Sequence, residues 1–355
     1  MQQHHRHPKR NGAPVPPASD HAGRSPAGSG GFKRFGWKLV FSLLLAAAGG
    51  AFLYYTGSSL IRSLSPQPEP RKVVEAPIKD AEWQAMVESL DKISRSYRGR
   101  VGIYIRDLET GKTWAYNAEK LFPSASLIKV PIMAAVFEKI KLGEFTLDTQ
   151  IKLTRPSRVG GSGSLKWVRE GTSLSVMEIV YKMITESDNT ATKMLIDQVG
   201  MPYLSEAFKK LGLEHTNITP EGMSLSSYRV KRENYTTPRE MASLLERIYA
   251  GELVNRESSE FMLDVLKHTK SRSRLRKGLP LGWEIGHKTG LLRKACHDVG
   301  IVFSPRGDYV IAVLTSEAPN YTTAKNFISK VAKLTYRYYK IDSDYAGAPL
   351  VQTAG

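Results

Sequence analysis

Residues 122–137 read FPSASLIKVPIMAAVF. Within them Ser126 and Lys129 stand three residues apart, a spacing that on a helix puts a hydroxyl and an amine on one face, one turn apart. The amine can then take the hydroxyl's proton. The apolar run Val130, Ile132, Met133, Val136, Phe137 predicts a buried helix opened by Ser126, whose backbone N–H is left free to face an oxyanion. Pro131 runs against the rule for a helix interior, a departure more tolerable at a functional site.

The same spacing recurs at Ser89-Leu90-Asp91-Lys92. There the apolar set Trp83, Met86, Val87, Leu90, Ile93, Tyr97 marks the buried face of a helix, which leaves Ser89 and Lys92 on its solvated side. The spacing alone therefore decides nothing.

Downstream, Ser187-Asp188-Asn189 follows an amphipathic helix marked by Val176, Ile179, Val180, Met183 and Ile184, and precedes a helix over Thr190–Val199 that stops at Gly200. One reading makes Asp188 or Asn189 an N-cap. The other gives Ser187 a hydroxyl for proton transfer and Asn189 an amide that grips a substrate carbonyl. Lys288-Thr289-Gly290 lies on a strand that starts near Trp283. It suits either carboxylate binding beside a closely approaching backbone at Gly290, or a lysine guarding a sheet edge.

The segments VGIYIRD and KTWAYNAE predict a hairpin turning over Leu108–Gly111. Near the other end WEIGHKT, VGIVFS and YVIAVLT predict three more strands before a helix over 322–339, and Thr237-Pro238-Arg239-Glu240 reads as a capping box. Both ends feed one sheet around a helical insert. The expectation is a two-lobed α/β unit with its site where the lobes meet.

Taken in this order, S-x-x-K at Ser126, S-D-N at Ser187 and K-T-G at Lys288 resemble the signature of class A β-lactamases and the penicillin-recognising serine hydrolases. The resemblance covers residues 80–342. It implies a five-stranded antiparallel sheet flanked by helices plus an all-helical lobe, and acyl transfer from a β-lactam amide. It also implies roles: Ser126 as acylated nucleophile, Lys129 as its proton acceptor, Ser187 as relay to the leaving nitrogen, and Asn189 on the substrate amide. Lys288 and Thr289 would hold the substrate carboxylate, Gly290 would allow close approach, and the backbone N–H groups of Ser126 and Leu291 would form the oxyanion hole.

In class A enzymes a glutamate ahead of a Thr-Thr-Pro helix start activates the deacylating water. A gapless count back from Thr236-Thr237-Pro238 reaches Glu221. Where the family follows that glutamate with a Leu-Asn pair, this chain has Ser224 and Leu225, so the water-holding amide is missing. Gly160-Gly161-Ser162-Gly163-Ser164 matches a flexible loop on the rim of the family's site.

The chain has 355 residues and a formal net charge of +17. Residues 1–38 carry seven Lys or Arg against Asp20 and are rich in Pro, Gly and Ser, the composition of a disordered cytoplasmic tail. Its His4, His5 and His7 are too loosely held to preorganise a metal. Residues 39–55, LVFSLLLAAAGGAFLYY, predict a single-pass anchor; Lys33, Arg34 and Lys38 just before it put the N-terminus inside and the rest in the periplasm or outside the cell. A cleaved signal peptide is the rival reading, against which the long basic segment ahead of it argues. Residues 56–79 read as a Pro-punctuated tether, residues 80–342 as the catalytic domain, and residues 343–355 as a flexible tail.

The single cysteine, Cys296, excludes an internal disulfide and a thiolate-rich metal site. His287 and His297 lack metal-ligand spacing, so no metal or cofactor is expected. The expected partners are a β-lactam or peptidoglycan-derived small substrate and the membrane, with no nucleic acid, for a monomer. Two rivals stay open: a D-alanyl-D-alanine peptidase that only traps penicillins, and an inactive wall-binding module that uses the basic body to hold anionic polymer.

Overall fold

The structure, a computed structural model, describes residues 80–224 and 230–340. The predicted tail, anchor and tether over residues 1–79 and the C-terminal residues 341–355 lie outside them; among the described residues no helix is long and apolar enough to cross a membrane.

Helix α1 (Asp80–Arg95) carries Asp80 and Glu82 in its first turn and Lys92 and Arg95 in its last, each sign facing the helix pole it complements. It buries Trp83, Met86 and Leu90, as the periodicity predicts. Strands β1 (Arg100–Asp107) and β2 (Thr113–Tyr116) form the hairpin. The C-terminal strands β7 (Glu284–Leu292), β8 (Ala295–Phe303) and β9 (Tyr309–Ser316) complete a sheet of order β2-β1-β9-β8-β7, every pair antiparallel. Both ends of the described chain build it. Strands β7 and β8 run longer than their apolar patterns suggest, because Gly290 to Leu292 pair with Ala295 to His297 across the turn at Arg293 and Lys294.

Strand periodicity splits the sheet residues between two cores. Along β9, Tyr309, Ile311 and Val313 join the core shared with α1 and the last helix (Tyr321–Tyr339), whereas Val310, Ala312 and Leu314 face the core of the helical lobe. The sheet is thus covered on both faces, which is why its inner strands read as continuous apolar runs.

The helical lobe is built around α2 (Lys129–Lys141), in which all nine residues from Lys129 to Phe137 are buried. A helix apolar all round belongs at a core's centre, and each large side chain placed there contributes roughly 1.5–3 kcal/mol. Helices α3 (Val176–Thr185), α4 (Asn189–Val199) and α5 (Met201–Lys210) surround it, with α6 (Pro238–Tyr249) and α7 (Arg256–Lys267) leading back toward the sheet. Thr237 caps α6 by accepting from Glu240 N, but Glu240 turns its carboxylate to His215 and Thr216 instead of back to the cap, so only half of the predicted capping box forms.

Candidate active site

Ser126 sits in a 3₁₀ turn, Ala125–Ile128, and the α-helix begins only at Lys129. The expected single helix is therefore two pieces, for a physical reason: Pro131 falls in the first turn of α2, where its missing N–H has no intrahelical acceptor to lose. Two contacts hold the turn in place. Phe122 and Pro123 (β3) pair with Tyr235 and Thr236 (β6), the strands between them, β4 (Gln150–Lys152) and β5 (Ser173–Ser175), pairing with each other, and Gly290 of β7 passes so close that a Cβ there would lie 3.2 Å from the Ala125 side chain.

Lys129 is buried, and its Nζ donates to Ser187 O at 2.6 Å and to Asn189 Oδ1 at 2.8 Å. Burial, reinforced by the charge of Lys288 and only partly offset by Asp188, holds its pKa well below the usual lysine range. Nζ also donates to Ser187 Oγ at 3.3 Å.

The N-cap reading of the Ser187-Asp188-Asn189 segment holds for Asp188. Asp188 is the N-cap of α4 and accepts from Ala191 N at 2.9 Å, while Ser187 and Asn189 turn to the two lysines. Ser187 occupies the left-handed region at φ +54°. The Gly160–Ser164 loop, expected as a flexible rim, is clasped to this segment: Asn189 N donates to Ser162 O at 3.1 Å and Asn189 Nδ2 to Gly160 O at 2.9 Å. Gly163 presses against Asp188 at φ +99°, where any Cβ would collide with the carboxylate.

Lys288 is on the edge strand β7 but fully buried, so its task is not to guard that edge. Its Nζ donates to Ser187 Oγ at 2.9 Å and to Thr289 O at 3.1 Å. Burial, and then the nearby Arg274 guanidinium, lower its pKa to about 7 against the pull of Asp298.

Arg274 carried no sequence signal. It is 5% exposed, has the strained backbone φ +59° and ψ −123°, and donates from Nε to Cys296 Sγ at 3.2 Å. Its neighbour Leu275 N donates to Asp298, which also pairs with buried His287 at 2.9 Å. Those contacts fix an arginine beside Lys288 in the wall of one cavity. The wall thus presents two basic side chains, with Asp298 close to Lys288 and Glu186 lining the same cavity.

Ser126 and Leu291 stand between two cavities. One, of about 320 Å³, is lined by Lys129, Asn189, Gly222, Met223 and Ser224 among others. The other, of about 740 Å³, is lined by Ser187, Lys288, Thr289 and Arg274 among others. Glu221 is in neither wall; it is exposed. Gly222 N donates to Thr219 Oγ1 at 2.9 Å, and the Gly222 Cα packs so tightly on Asn234 that a Cβ would meet its side chain. The turn therefore faces Gly222 inward and Glu221 out. Arg293 then ties the segment to the β7–β8 turn, donating to Ser224 O at 3.1 Å and pairing with Glu233 at 2.5 Å.

The family model described as "Beta-lactamase enzyme family" matches residues 85–339. The chain is 31% identical over 235 residues to a β-lactamase of Streptomyces albus G, covering 63% of this chain and 75% of that one. It is 26% identical to β-lactamase VEB-1 of Pseudomonas aeruginosa, covering 73% and 92%. Among solved structures, a PBP-A variant in an acyl-enzyme complex with penicillin G aligns at TM-score 0.66 and 29% identity, covering 74% of this chain and 98% of that one. With this fold, these three motifs and that match, the chain belongs to the β-lactamase enzyme family, among serine hydrolases of the class A and PBP-A type.

Proposed function

We propose that this protein opens β-lactam amides through an ester on Ser126. The observation that carries the reading is the convergence of two buried lysines on one hydroxyl, Ser187 Oγ, beside the 3₁₀ turn that presents Ser126. Lys129, whose burial favours the neutral amine, takes the Ser126 proton as Oγ bonds to the lactam carbonyl carbon. The backbone N–H groups of Ser126 and Leu291 receive the developing oxyanion, a donor of that kind being worth roughly 2.7–4 kcal/mol. The C–N bond then breaks, and the proton reaches the leaving nitrogen through Ser187. Protonated Lys288, Thr289 and Arg274 hold the substrate carboxylate. Asn189 has one N–H left, beyond its bond to Gly160, for the substrate's amide carbonyl.

Water completes the cycle by hydrolysing the ester. The exposed position of Glu221 favours a second reading of this half-reaction, in which the ester is long-lived and the protein is a cell-wall peptidase that penicillins trap. Benzylpenicillin mixed with the full chain distinguishes them: steady loss of the lactam supports the hydrolase, and a single stoichiometric burst supports the trap. No loss and no burst would refute both. The 39–55 segment and its preceding cations support a membrane-anchored, extracytoplasmic catalytic domain working as a monomer on a β-lactam or peptidoglycan-derived substrate.

A further inference from the structure

Helix α1 and the last helix cover the face of the sheet that is turned away from the helical lobe. They run antiparallel. Ser96 and Tyr97 at the end of α1 share a cavity with Thr323 and Lys330, while Arg306 ties the opposite ends together, pairing with Glu82 at 2.7 Å and donating to Tyr338 O at 3.1 Å. A third element joins this layer. The one-turn helix Leu275–Gly278 seats so closely on the last helix that a Cβ at Gly278 would meet Ser329 O and Ala332, and Trp283 sets its ring edge-on against Tyr336 with centroids 5.2 Å apart. Between these two anchor points Arg276 closes a loop, donating to Pro280 O at 2.7 Å and to Trp283 O at 2.9 Å.

That loop carries Leu281, which is 92% exposed, more than any other large apolar side chain among the described residues. The charge around it is of one sign. Residues 265–283 contain six Lys or Arg and no acid, and residues 318–341 contain five and no acid. On the last helix Lys330, Lys333 and Arg337 are exposed and recur at the spacing of a single helix face, and Lys277 is exposed at the foot of the loop. Neighbouring carboxylates do not neutralise them: Glu284 pairs with Lys267 at 2.8 Å and Glu82 with Arg306. Helix α1 brings Glu88 and Asp91 but also Lys92 and Arg95, so its second half adds no net charge.

An apolar side chain held in water among cations fits a partner that is anionic at its surface and apolar just beneath. A bilayer with anionic headgroups has that profile. Phosphates meet the lysines and the arginine, Leu281 enters the acyl boundary, and the amphipathic rings of Trp283 and Tyr336 lie at the level between. A hydrated anionic polymer would pair with the cations but offer Leu281 nothing. Even fully extended, residues 56–79 would span no more than about 85 Å from an anchor at 39–55, so a weak contact suffices once the chain is anchored.

We propose that Leu281, Lys277, Lys330, Lys333 and Arg337 form a face that docks the catalytic domain on an anionic phospholipid surface, an inference that rests on the membrane-anchored placement proposed above. The sheet stands between this face and the helical lobe, so docking leaves the cavities beside Ser126 open to substrate.

The full chain, reconstituted in vesicles of phosphatidylcholine alone or mixed in equal parts with phosphatidylglycerol, tests this with a nitrobenzoxadiazole label on Leu281→Cys; the native Cys296 is fully buried. With phosphatidylglycerol the emission should shift to the blue and rise about twofold or more, and high salt should reverse it. Phosphatidylcholine alone should give no response. Lys277→Glu, Lys333→Glu and Arg337→Glu combined should abolish the response in a chain that melts and is acylated by benzylpenicillin as wild type is. An equal response in both lipids, none in either, or one that survives charge reversal would overturn the docking face. Flotation of the vesicles reads the anchor separately. A chain that floats with both lipids while its label stays silent leaves the anchor standing and the face refuted; one that floats only with phosphatidylglycerol, and not after charge reversal, leaves the face standing and the anchor refuted. Flotation with neither overturns both. Binding of soluble polyglycerol phosphate to wild type but not to the charge-reversed chain, with a label silent to phosphatidylglycerol, would reassign the surface to an anionic wall polymer and likewise overturn the proposal.

Discussion

Lys288 Nζ donates to Ser187 Oγ at 2.9 Å, and the same oxygen lies 3.3 Å from Lys129 Nζ. A single hydroxyl thus bridges a residue from β7 of the sheet and one from α2 of the helical lobe, and it joins the group that starts the proposed reaction to the group that holds the substrate. Burial pushes both lysines toward the neutral form, aided at Lys129 by the charge of Lys288 and at Lys288 by that of Arg274.

That displacement makes substrate affinity pH-dependent. Lys288 binds a carboxylate when protonated, so KM for benzylpenicillin should rise as pH climbs through about 7, and Lys288→Arg should flatten the rise because guanidinium stays charged. Stability should move the other way. The folded-state pKa lies below the unfolded value of 10.5, so the unfolded chain holds the extra proton between about 7 and 10.5, and the contribution of Lys288 to stability increases over that window. Thermal melts of wild type and Lys288→Met across it should show a shallower rise in the variant, in which Lys129 keeps its own contribution.

Lys129→Ala should abolish labelling by a fluorescent penicillin, whereas Lys92→Ala should leave it unchanged. Lys129 is buried against Ser187 and Asn189, while Lys92 sits in the last turn of α1, whose Ser89 merely bonds back to Ala85 O. Loss of a general base commonly lowers the rate about 10²- to 10⁴-fold. Equal labelling of two folded variants would remove Lys129 from the reaction.

Gly163→Ala should destabilise the protein by roughly 1–3 kcal/mol, since it combines a left-handed backbone with a collision at Asp188. The effect should reach the site, because Asp188 caps α4. Urea unfolding together with the penicillin-labelling rate measures both. A stable, fully active variant would show that the loop is not clasped as described.

What the sequence discloses depends on how locally each feature is determined. The spacing of Ser126 and Lys129, the helix end at Ser187 and Asp188, and the strand carrying Lys288 are short-range features, and they assemble as their patterns imply. Glu221 was reached by counting along a loop, and a count cannot register that Gly222 seats on Asn234 and turns the glutamate outward. Arg274 was invisible for a related reason: its place is set by contact with Cys296 and by the Asp298 bond to its neighbour, from a strand more than twenty residues away.

Glu221→Gln should leave the lifetime of the penicillin adduct unchanged within about twofold, far less than the loss expected of a true general base. Rapid quenching followed by intact-mass measurement gives that lifetime. An adduct that persists much longer in the variant would put Glu221 back in the deacylation step and require the turn over 220–223 to rearrange.

Peptide mapping by mass spectrometry after brief exposure of the full chain to benzylpenicillin tests the central claim most directly. The account predicts one penicilloyl group per chain, on the peptide that carries Ser126, and none in Ser126→Ala. A folded wild-type chain that acquires no adduct, or an adduct that survives in Ser126→Ala, would contradict it.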